Sequence, residues 1–175
     1  MKLFNKTILV LMAVMAISLT SCKKDDDGGG DPPGGSGTFS AKVDGSNFSG
    51  MQGTVVAQLS TSGSTQVLAV SGGTTQSQNL QMIISGFDGV GSYDLNFMNL
   101  GTYSYLPDPG NPDPNSVVVY TTLGNGQGNN GTLNVSSFDG NTIEGTFNFT
   151  GFNLDDNSDT VAVTEGQFNI DVTNN

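Results

Sequence analysis

Beyond residue 38 the chain alternates apolar and polar positions with a period of two residues. Such a period places successive side chains on opposite faces of a β-strand, one face on a core and the other in water. Weaker signals predict further strands over residues 54–59, 65–71, 91–97, 101–106, 116–122, 131–137 and 160–172. The clearest segments have apolar members at Phe39, Ala41 and Val43, at Leu80, Met82 and Ile84, and at Ile143, Phe147 and Phe149. The pattern predicts about ten short strands.

Turn signals separate these strands. Asp-Gly and Asn-Gly pairs supply the positive φ angles that tight hairpin turns need. Helical connectors long enough for parallel crossovers are missing, so we expect antiparallel pairing. The fold class predicted is an all-β antiparallel sandwich or barrel, and the choice between the two stays open. The turn signals are Asp44-Gly45, Asp88-Gly89, residues 107–110, Asn125-Gly126, Asn130-Gly131 and Asp139-Gly140.

The last predicted strand changes the parity of its apolar positions. Val161 and Val163 are odd-numbered, whereas Phe168, Ile170 and Val172 are even-numbered. One extra residue inserted as a β-bulge at positions 165–166 would reset the register, because side chains alternate strictly along a strand. Two separate strands would explain the change equally well.

The first 22 residues have the features of an export signal. Lys2 and Lys6 precede an apolar run over residues 8–19, which is too short to span a bilayer as a helix. The run ends in Leu-Thr-Ser-Cys at positions 19–22, which resembles the bacterial lipobox. The resemblance implies removal of residues 1–21 as a signal peptide and attachment of acyl chains to Cys22. The alternatives are a spare thiol after an ordinary cleavage site and an uncleaved anchor.

Residues 22–37 carry no apolar pattern and are predicted to be a disordered linker to a single domain over residues 38–175. The linker begins with Lys-Lys-Asp-Asp-Asp at positions 23–27, which resembles the export signal of Bacteroidota lipoproteins. That resemblance implies an outer-membrane location with the domain facing the outside of the cell. A generic solvated spacer is the alternative.

The charge balance limits the possible partners. The chain has a net charge of −11, and loss of Lys2 and Lys6 would leave three lysines against sixteen acids, a net charge of −13. Nucleic acid is excluded as a partner, because phosphate binding needs Lys and Arg. The acidity is typical of a soluble, exposed protein, with a cation-binding role as the alternative.

The chain lacks several of the residue types on which common catalytic sites depend. There is no His or Arg, and the single Cys is assigned to the lipid. This excludes Ser-His-Asp and Cys-His catalysis and His-built zinc sites. Glu144 and Glu165 are the only glutamates, and a carboxylate glycosidase built on them is the remaining catalytic alternative. We predict that the protein is not an enzyme and that it has no cofactor.

Two loops are rich in oxygen donors, one at residues 155–159 and one at residues 108–115. Calcium favours such donors, but neither loop has the EF-hand spacing, and Asp and Asn are also ordinary turn residues. Whether these loops bind calcium stays open. Thr160 lies in Asp-Thr-Val, which resembles a bacterial O-glycosylation signal, with an ordinary strand start as the alternative.

The four tyrosines are candidates for a sugar-binding surface. Tyr103 and Tyr105 fall on the same face of a predicted strand, next to the Pro-rich loop at residues 107–114. Tyr93 and Tyr120 also fit strand patterns. Packing in or near the core is the favoured role for all four, because a tyrosine ring buries a large apolar area.

The chain as a whole resembles a family of Bacteroidota lipoproteins of unassigned function. The residues that carry the resemblance lie at 39–45, 91–95, 145–151 and 163–168. It implies a β-rich, lipid-anchored module and brings no catalytic residues. The leading prediction is a non-catalytic, surface-exposed lipoprotein with a binding or envelope-structural role, whose glycan or protein ligand is unknown. A glycan-binding accessory lipoprotein of a polysaccharide-uptake system is the alternative, and oligomeric state stays open.

Overall fold

All ten predicted strands occur in the computed structural model, which describes residues 37–124 and 128–174, together with one that was not predicted. The unpredicted strand, β2, has a single buried residue, Phe48, so its four residues show no repeat. A 3₁₀ turn at Pro114–Ser116 precedes β8. The strands are β1 (Gly37–Val43), β2 (Ser46–Ser49), β3 (Val56–Ser62), β4 (Thr65–Gly73), β5 (Gln78–Ser85), β6 (Gly91–Asp94), β7 (Leu100–Tyr105), β8 (Val118–Thr121), β9 (Gly131–Phe138), β10 (Thr142–Asn153) and β11 (Thr160–Asn174).

The strands form two layers that share one hydrogen-bonded network. The first sheet has the order β2-β1-β11-β10-β9-β6, and the second is the meander β3-β4-β5-β7-β8. The layers join at two corners, where the end of β11 pairs with β3 and the end of β10 pairs with β8. The all-β prediction is confirmed, and the joined corners close a ring of seven strands within the sandwich.

One pairing departs from the antiparallel expectation. Val172–Asn174 at the end of β11 run parallel to Ala57–Leu59 of β3. β11 has fifteen residues and extends beyond Gly37, the first residue of β1, so its last residues have a free edge. The chain crosses from the first sheet to the second after β2, which brings β3 to that edge in the same direction as β11.

The bulge in β11 is confirmed, and β11 is one continuous strand. Between Ser40↔Gln167 and Lys42↔Thr164, one residue of β1 opposes two of β11, and the same one-against-two mismatch occurs opposite β10. Glu165 is the extra residue, with a φ of 52°. Its insertion moves the buried positions from odd to even numbers, as the apolar pattern requires.

The turn signals had mixed outcomes. Asp44-Gly45 forms a two-residue hairpin turn with φ angles of 47° and 78°, as expected for a type I′ turn. Asp88-Gly89 was wrongly expected to close a hairpin, because β5 pairs with β7 and β6 pairs with β9. Asn130-Gly131 leads into β9 rather than joining two paired strands. Asn125-Gly126 lies outside the described residues.

The core lies between the two sheets as one apolar cluster. Phe39 is at its centre, with its ring 5.1 Å from that of Phe147 and directly over Gly72 of the second sheet. Each fully buried side chain of this size contributes about 1.5–3 kcal/mol. Gly101 of β7 packs against Phe149 of β10, while Tyr105 at the other end of β7 reaches the β1–β2 hairpin. β7 therefore runs across the strands of the first sheet, and its far end meets the open edge of the sandwich.

The predicted signal peptide at residues 1–21, Cys22 and the linker as far as residue 36 lie outside the described residues. Gly37, assigned to the linker from the sequence, already pairs with Ile170 in β1. Within residues 37–124 and 128–174, no helix has the length and hydropathy needed to cross a membrane.

Candidate functional site: a tyrosine-lined cleft

A cleft of about 270 Å³ opens between the β1–β2 hairpin of the first sheet and strands β5, β7 and β8 of the second. Its floor is buried and mostly aromatic, and its rim is exposed and polar. The floor consists of Phe48, Tyr103, Tyr120 and Val161, the walls of Val43, Gln78 and Tyr105, and the rim of Asp44, Ser46 and Asn47. An apolar floor with a few polar groups at its mouth is typical of small-molecule sites.

Three tyrosines form a continuous row in this cleft. Tyr103 of β7 lies directly opposite Tyr120 of β8, with ring centroids 6.2 Å apart. Tyr105 follows two residues after Tyr103 on the same face, with a centroid separation of 5.7 Å. The rings are tilted by 34° and 35°, so each contacts its neighbour without a perfect stack. Tyr103 and Tyr120 are buried and Tyr105 is half-buried, so Tyr105 presents the accessible ring.

Two of the tyrosine hydroxyls are already engaged. Gln78 Nε2 donates to the Tyr103 hydroxyl at 3.1 Å, and the Tyr120 hydroxyl donates to Asp159 Oδ2 at 2.8 Å. Burial raises the pKa of Tyr103, and burial together with Asp159 raises the pKa of Tyr120 to about 12. Both phenols are therefore neutral near pH 7 and act as ring surfaces and hydrogen-bonding groups rather than as bases.

The rim is held by the Asp44-Gly45 turn. The Asp44 backbone N–H donates to the Ala162 carbonyl at 2.9 Å, and Asp44 Oδ1 accepts from the Ala162 N–H at 2.8 Å. These bonds fix the carboxylate at the mouth of the cleft. The side chains of Ser46 and Asn47 and the hydroxyl of Tyr105 make no hydrogen bond to any residue of 37–124 or 128–174, so they can bind a ligand.

The predicted pair Tyr103 and Tyr105 does share a face and lies at this site, although the Tyr103 ring is in the floor. Tyr120, Gln78 and the β1–β2 rim were not associated with it from the sequence. The cross-strand partner of Tyr103 could have been found only from the register of β7 with β8. Tyr93 lies elsewhere, with its hydroxyl 2.8 Å from both Asp88 Oδ1 and the Gly89 carbonyl.

The two glutamates lie well apart on the first sheet. Glu144 lies opposite Asn169 of β11, and Glu165 is four residues further along the same strand. At about 3.3 Å per residue, the two backbone positions are about 13 Å apart. Glycosidases hold their two carboxyl groups about 5–9.5 Å apart across the scissile bond. The Glu165 carboxylate is moreover 2.9 Å from Lys42 Nζ, in an exposed ion pair.

In each of the two Asp/Asn-rich loops, one carboxylate serves its own turn. Asp156 Oδ1 accepts from the backbone N–H and the hydroxyl of Ser158, and these bonds lower the pKa of Asp156. Asp113 Oδ1 accepts from Asn115 at the start of the 3₁₀ turn. Among the described residues, no group of three or more His, Cys, Asp or Glu side chains is placed to hold a metal ion. Thr160 is exposed at the first position of β11.

Comparison with known families gives one match. A family model described as a domain of unknown function (DUF6252) matches residues 35–170, which include ten strands and most of β11. No curated protein and no solved structure matches the chain significantly. The match therefore extends over the whole of the cleft and carries no activity with it.

Proposed function

Because the chain belongs to DUF6252, a family described only as a domain of unknown function, we propose its function from the cleft: a non-catalytic, lipid-anchored binding module that holds one sugar ring against Tyr105. The observation that carries the proposal is the row of three tyrosines below a rim that includes the unengaged side chains of Ser46 and Asn47. A pyranose has an apolar C–H face and a belt of hydroxyls, and both need a partner in a binding site. Tyr105 offers the ring, while Asn47 and Ser46 offer hydrogen bonds to hydroxyls.

The size of the cleft supports one ring as the bound unit. Sites for drug-sized ligands measure roughly 300–1,000 Å³, and this cleft of about 270 Å³ lies just below that range. A longer glycan would extend from the cleft over the exposed rim, where Asp44 and Asn47 lie. The rest of such a glycan would remain in solvent.

The proposal of a non-catalytic role is supported by the side chains at the cleft. Acid–base cleavage of a glycoside needs two carboxyl groups placed on either side of the bond. Among the described residues that line the cleft, Asp44 alone has a carboxylate. Tyr103 and Tyr120 supply no base, because their pKa values are raised above the ordinary value of 10.0.

Anchoring through Cys22 is supported by the lipobox-like segment and by the charged residues that follow it. Two or more acyl chains give stable attachment, since each buried CH₂ contributes about 0.8 kcal/mol. We place the domain on the outer face of the outer membrane on the resemblance of residues 23–27 to a lipoprotein export signal. The glycan-binding role in a polysaccharide-uptake system is consistent with that location.

Binding of the purified lipoprotein in detergent to a glycan array tests the proposal. We expect at least one class of oligosaccharide to bind, and we expect Tyr105→Ala to weaken that binding about tenfold or more, because the accessible ring is lost. Phe97→Ala is the matched control, since Phe97 is an exposed aromatic residue outside the cleft. An array with no binding, or equal loss in the two variants, would contradict the proposal.

A further inference from the structure

The charge distribution around the cleft is one-sided. Among the described residues that line it, only Asp44 is charged. Lys42 is the only basic residue between positions 37 and 174, and its ammonium group is 2.9 Å from Glu165 in an ion pair. Asp159 adds a second carboxylate directly behind the Tyr120 hydroxyl. A ligand in the cleft therefore meets negative charge at the rim and behind the floor, while Lys42, which stands opposite Asn47 of the rim, is already paired with Glu165.

The Asp44 carboxylate is placed to act on a ligand. The type I′ turn and the Ala162 N–H hold Oδ1 in position, while Oδ2 makes no hydrogen bond to any residue of 37–124 or 128–174. The charge also reaches the floor. After burial and the neighbouring Tyr105, the negative charge of Asp44 contributes to the raised pKa of Tyr103. The Asp44 carboxylate and the three tyrosines therefore line the same cleft.

We infer that the cleft selects sugars with a free amino group, such as 2-amino-2-deoxyhexose units, over their neutral, N-acetylated and acidic counterparts. The inference rests on the proposed function and names the substrate class of the same site. The protonated amine pairs with Asp44 Oδ2, and the positive charge lies near the tyrosine faces, which attract cations. A carboxylate, sulfate or phosphate group on the ligand meets Asp44 without a compensating Lys or Arg.

The test uses the full lipoprotein in detergent and three trisaccharides with the same β-1,4 linkage. These are the trimers of glucosamine, N-acetylglucosamine and glucose, titrated by calorimetry at low salt and mildly acidic pH, where the amines of the glucosamine trimer are protonated. We expect the glucosamine trimer to bind about tenfold more tightly than the other two, as one exposed ion pair and one cation–π contact allow. We expect the preference to shrink at 0.5 M salt, because exposed charges are screened.

The variant Asp44→Asn removes the negative charge of the side chain and keeps its size and shape. Asn tolerates the same backbone conformation, and its side-chain oxygen still accepts from Ala162, so the turn is preserved. We expect the variant to bind all three trimers with similar affinity. Glu144→Gln is the matched control, because it removes one exposed negative charge on β10 away from the cleft and should keep the preference. Thermal unfolding of both variants checks that each is folded.

The outcomes distinguish the inference from the proposed function. Equal binding of the three trimers by the native protein would overturn the amino-sugar inference and leave the sugar site in place. Equal loss of all three on Asp44→Asn would also overturn it, since Asp44 would then be a general hydrogen-bonding residue. Absence of binding to these trimers and to every glycan of the array would overturn the proposed function, and the inference with it.

Discussion

Glycine at position 166 is required by packing, while the residue before it carries the unusual backbone angle. A Cβ on Gly166 would lie 2.5 Å from the ring and the carbonyl oxygen of Phe147. Glu165 has a φ of 52°, which costs a non-glycine residue about 1 kcal/mol or more. The bulge therefore depends on two adjacent residues for two different physical reasons.

Gly166→Ala is expected to lower the free energy of unfolding by about 3 kcal/mol, because a backbone oxygen cannot move away from the added methyl group. Glu165→Gly serves as the comparison. It relieves strain but loses an exposed ion pair and adds unfolded-state entropy, so we expect a change within about 1 kcal/mol. Urea unfolding measures both. Equal midpoints for Gly166→Ala and the native protein would show that the Phe147 packing is wrong.

Tyr120 makes stability depend on pH in the alkaline range. Its pKa is about 12 in the folded protein and near 10 when unfolded, so between these values the folded state retains a proton that the unfolded state has lost. Stability from this group is complete below pH 10 and decreases by about 2 kcal/mol as the pH rises towards 12. Tyr103 and Tyr93 act in the same direction.

The measurement is the urea midpoint between pH 8 and pH 12, with tyrosinate absorbance followed in parallel. Tyr120→Phe removes the titrating hydroxyl, so we expect a flatter decline in stability above pH 10. The variant also loses the bond to Asp159, at about 1 kcal/mol near neutral pH. An alkaline decline as steep as that of the native protein would rule out Tyr120 as its main source.

At the scale of elements, most of the strands that the sequence predicted have two or more buried residues at alternating positions. The exceptions are β6, where only Tyr93 is buried, and β8, whose two buried residues are adjacent. β2 has only Phe48, and its pairing with β1 is set by the Asp44-Gly45 turn rather than by its own pattern. The parallel contact of β3 with β11 was not predictable, because it depends on which sheet edge the chain reaches after β2. Local sequence patterns identify strands, but the tertiary structure determines which strands pair with each other.

The candidate site was likewise predictable within one strand but not between strands. Tyr103 and Tyr105 share a strand, so alternation alone placed them on one face. Tyr120 lies on β8, Gln78 on β5 and Asp44 in the first hairpin turn, and only the sheet register and the crossing of the layers bring them together. Residues separated by more than 70 positions in the sequence thus form one rim and one floor.

Gly45→Ala tests the hairpin that carries the rim. A Cβ at Gly45 would have no neighbour within 4 Å, so the cost arises from its φ of 78° alone. We expect a loss of about 1–2 kcal/mol in the free energy of unfolding, less than for Gly166→Ala. Ser49→Ala, at an exposed position of β2, is the control and should change stability by less than about 0.5 kcal/mol. A loss as large as that of Gly166→Ala would contradict a purely conformational cost.

At the scale of the whole molecule, β1 connects the first described residue of the domain with the cleft. One end of the strand is Gly37, and the other end lies beside the rim. β1 starts at Gly37 and ends at Val43, next to the rim. At about 3.3 Å per residue, this places the cleft about 20 Å from Gly37.

Cys22→Ala tests the anchor. We expect the variant to lose incorporation of labelled fatty acid and to leave the membrane fraction, because the single thiol is the only acceptor proposed. Replacement of residues 23–27 by alanine should keep the acyl chains but remove accessibility of the domain to antibody on intact cells. Retained labelling in Cys22→Ala would contradict the assignment of the thiol.

The position of β1 has a mechanical consequence for an anchored protein that holds a large glycan. If the domain is tethered ahead of Gly37, a pull on a ligand held by Asp44 would load β1 along its axis. The hydrogen bonds of β1 to β2 and β11 lie across that axis and would share this load in shear. They would break together rather than open one after another, so β1 is suited to resist extension.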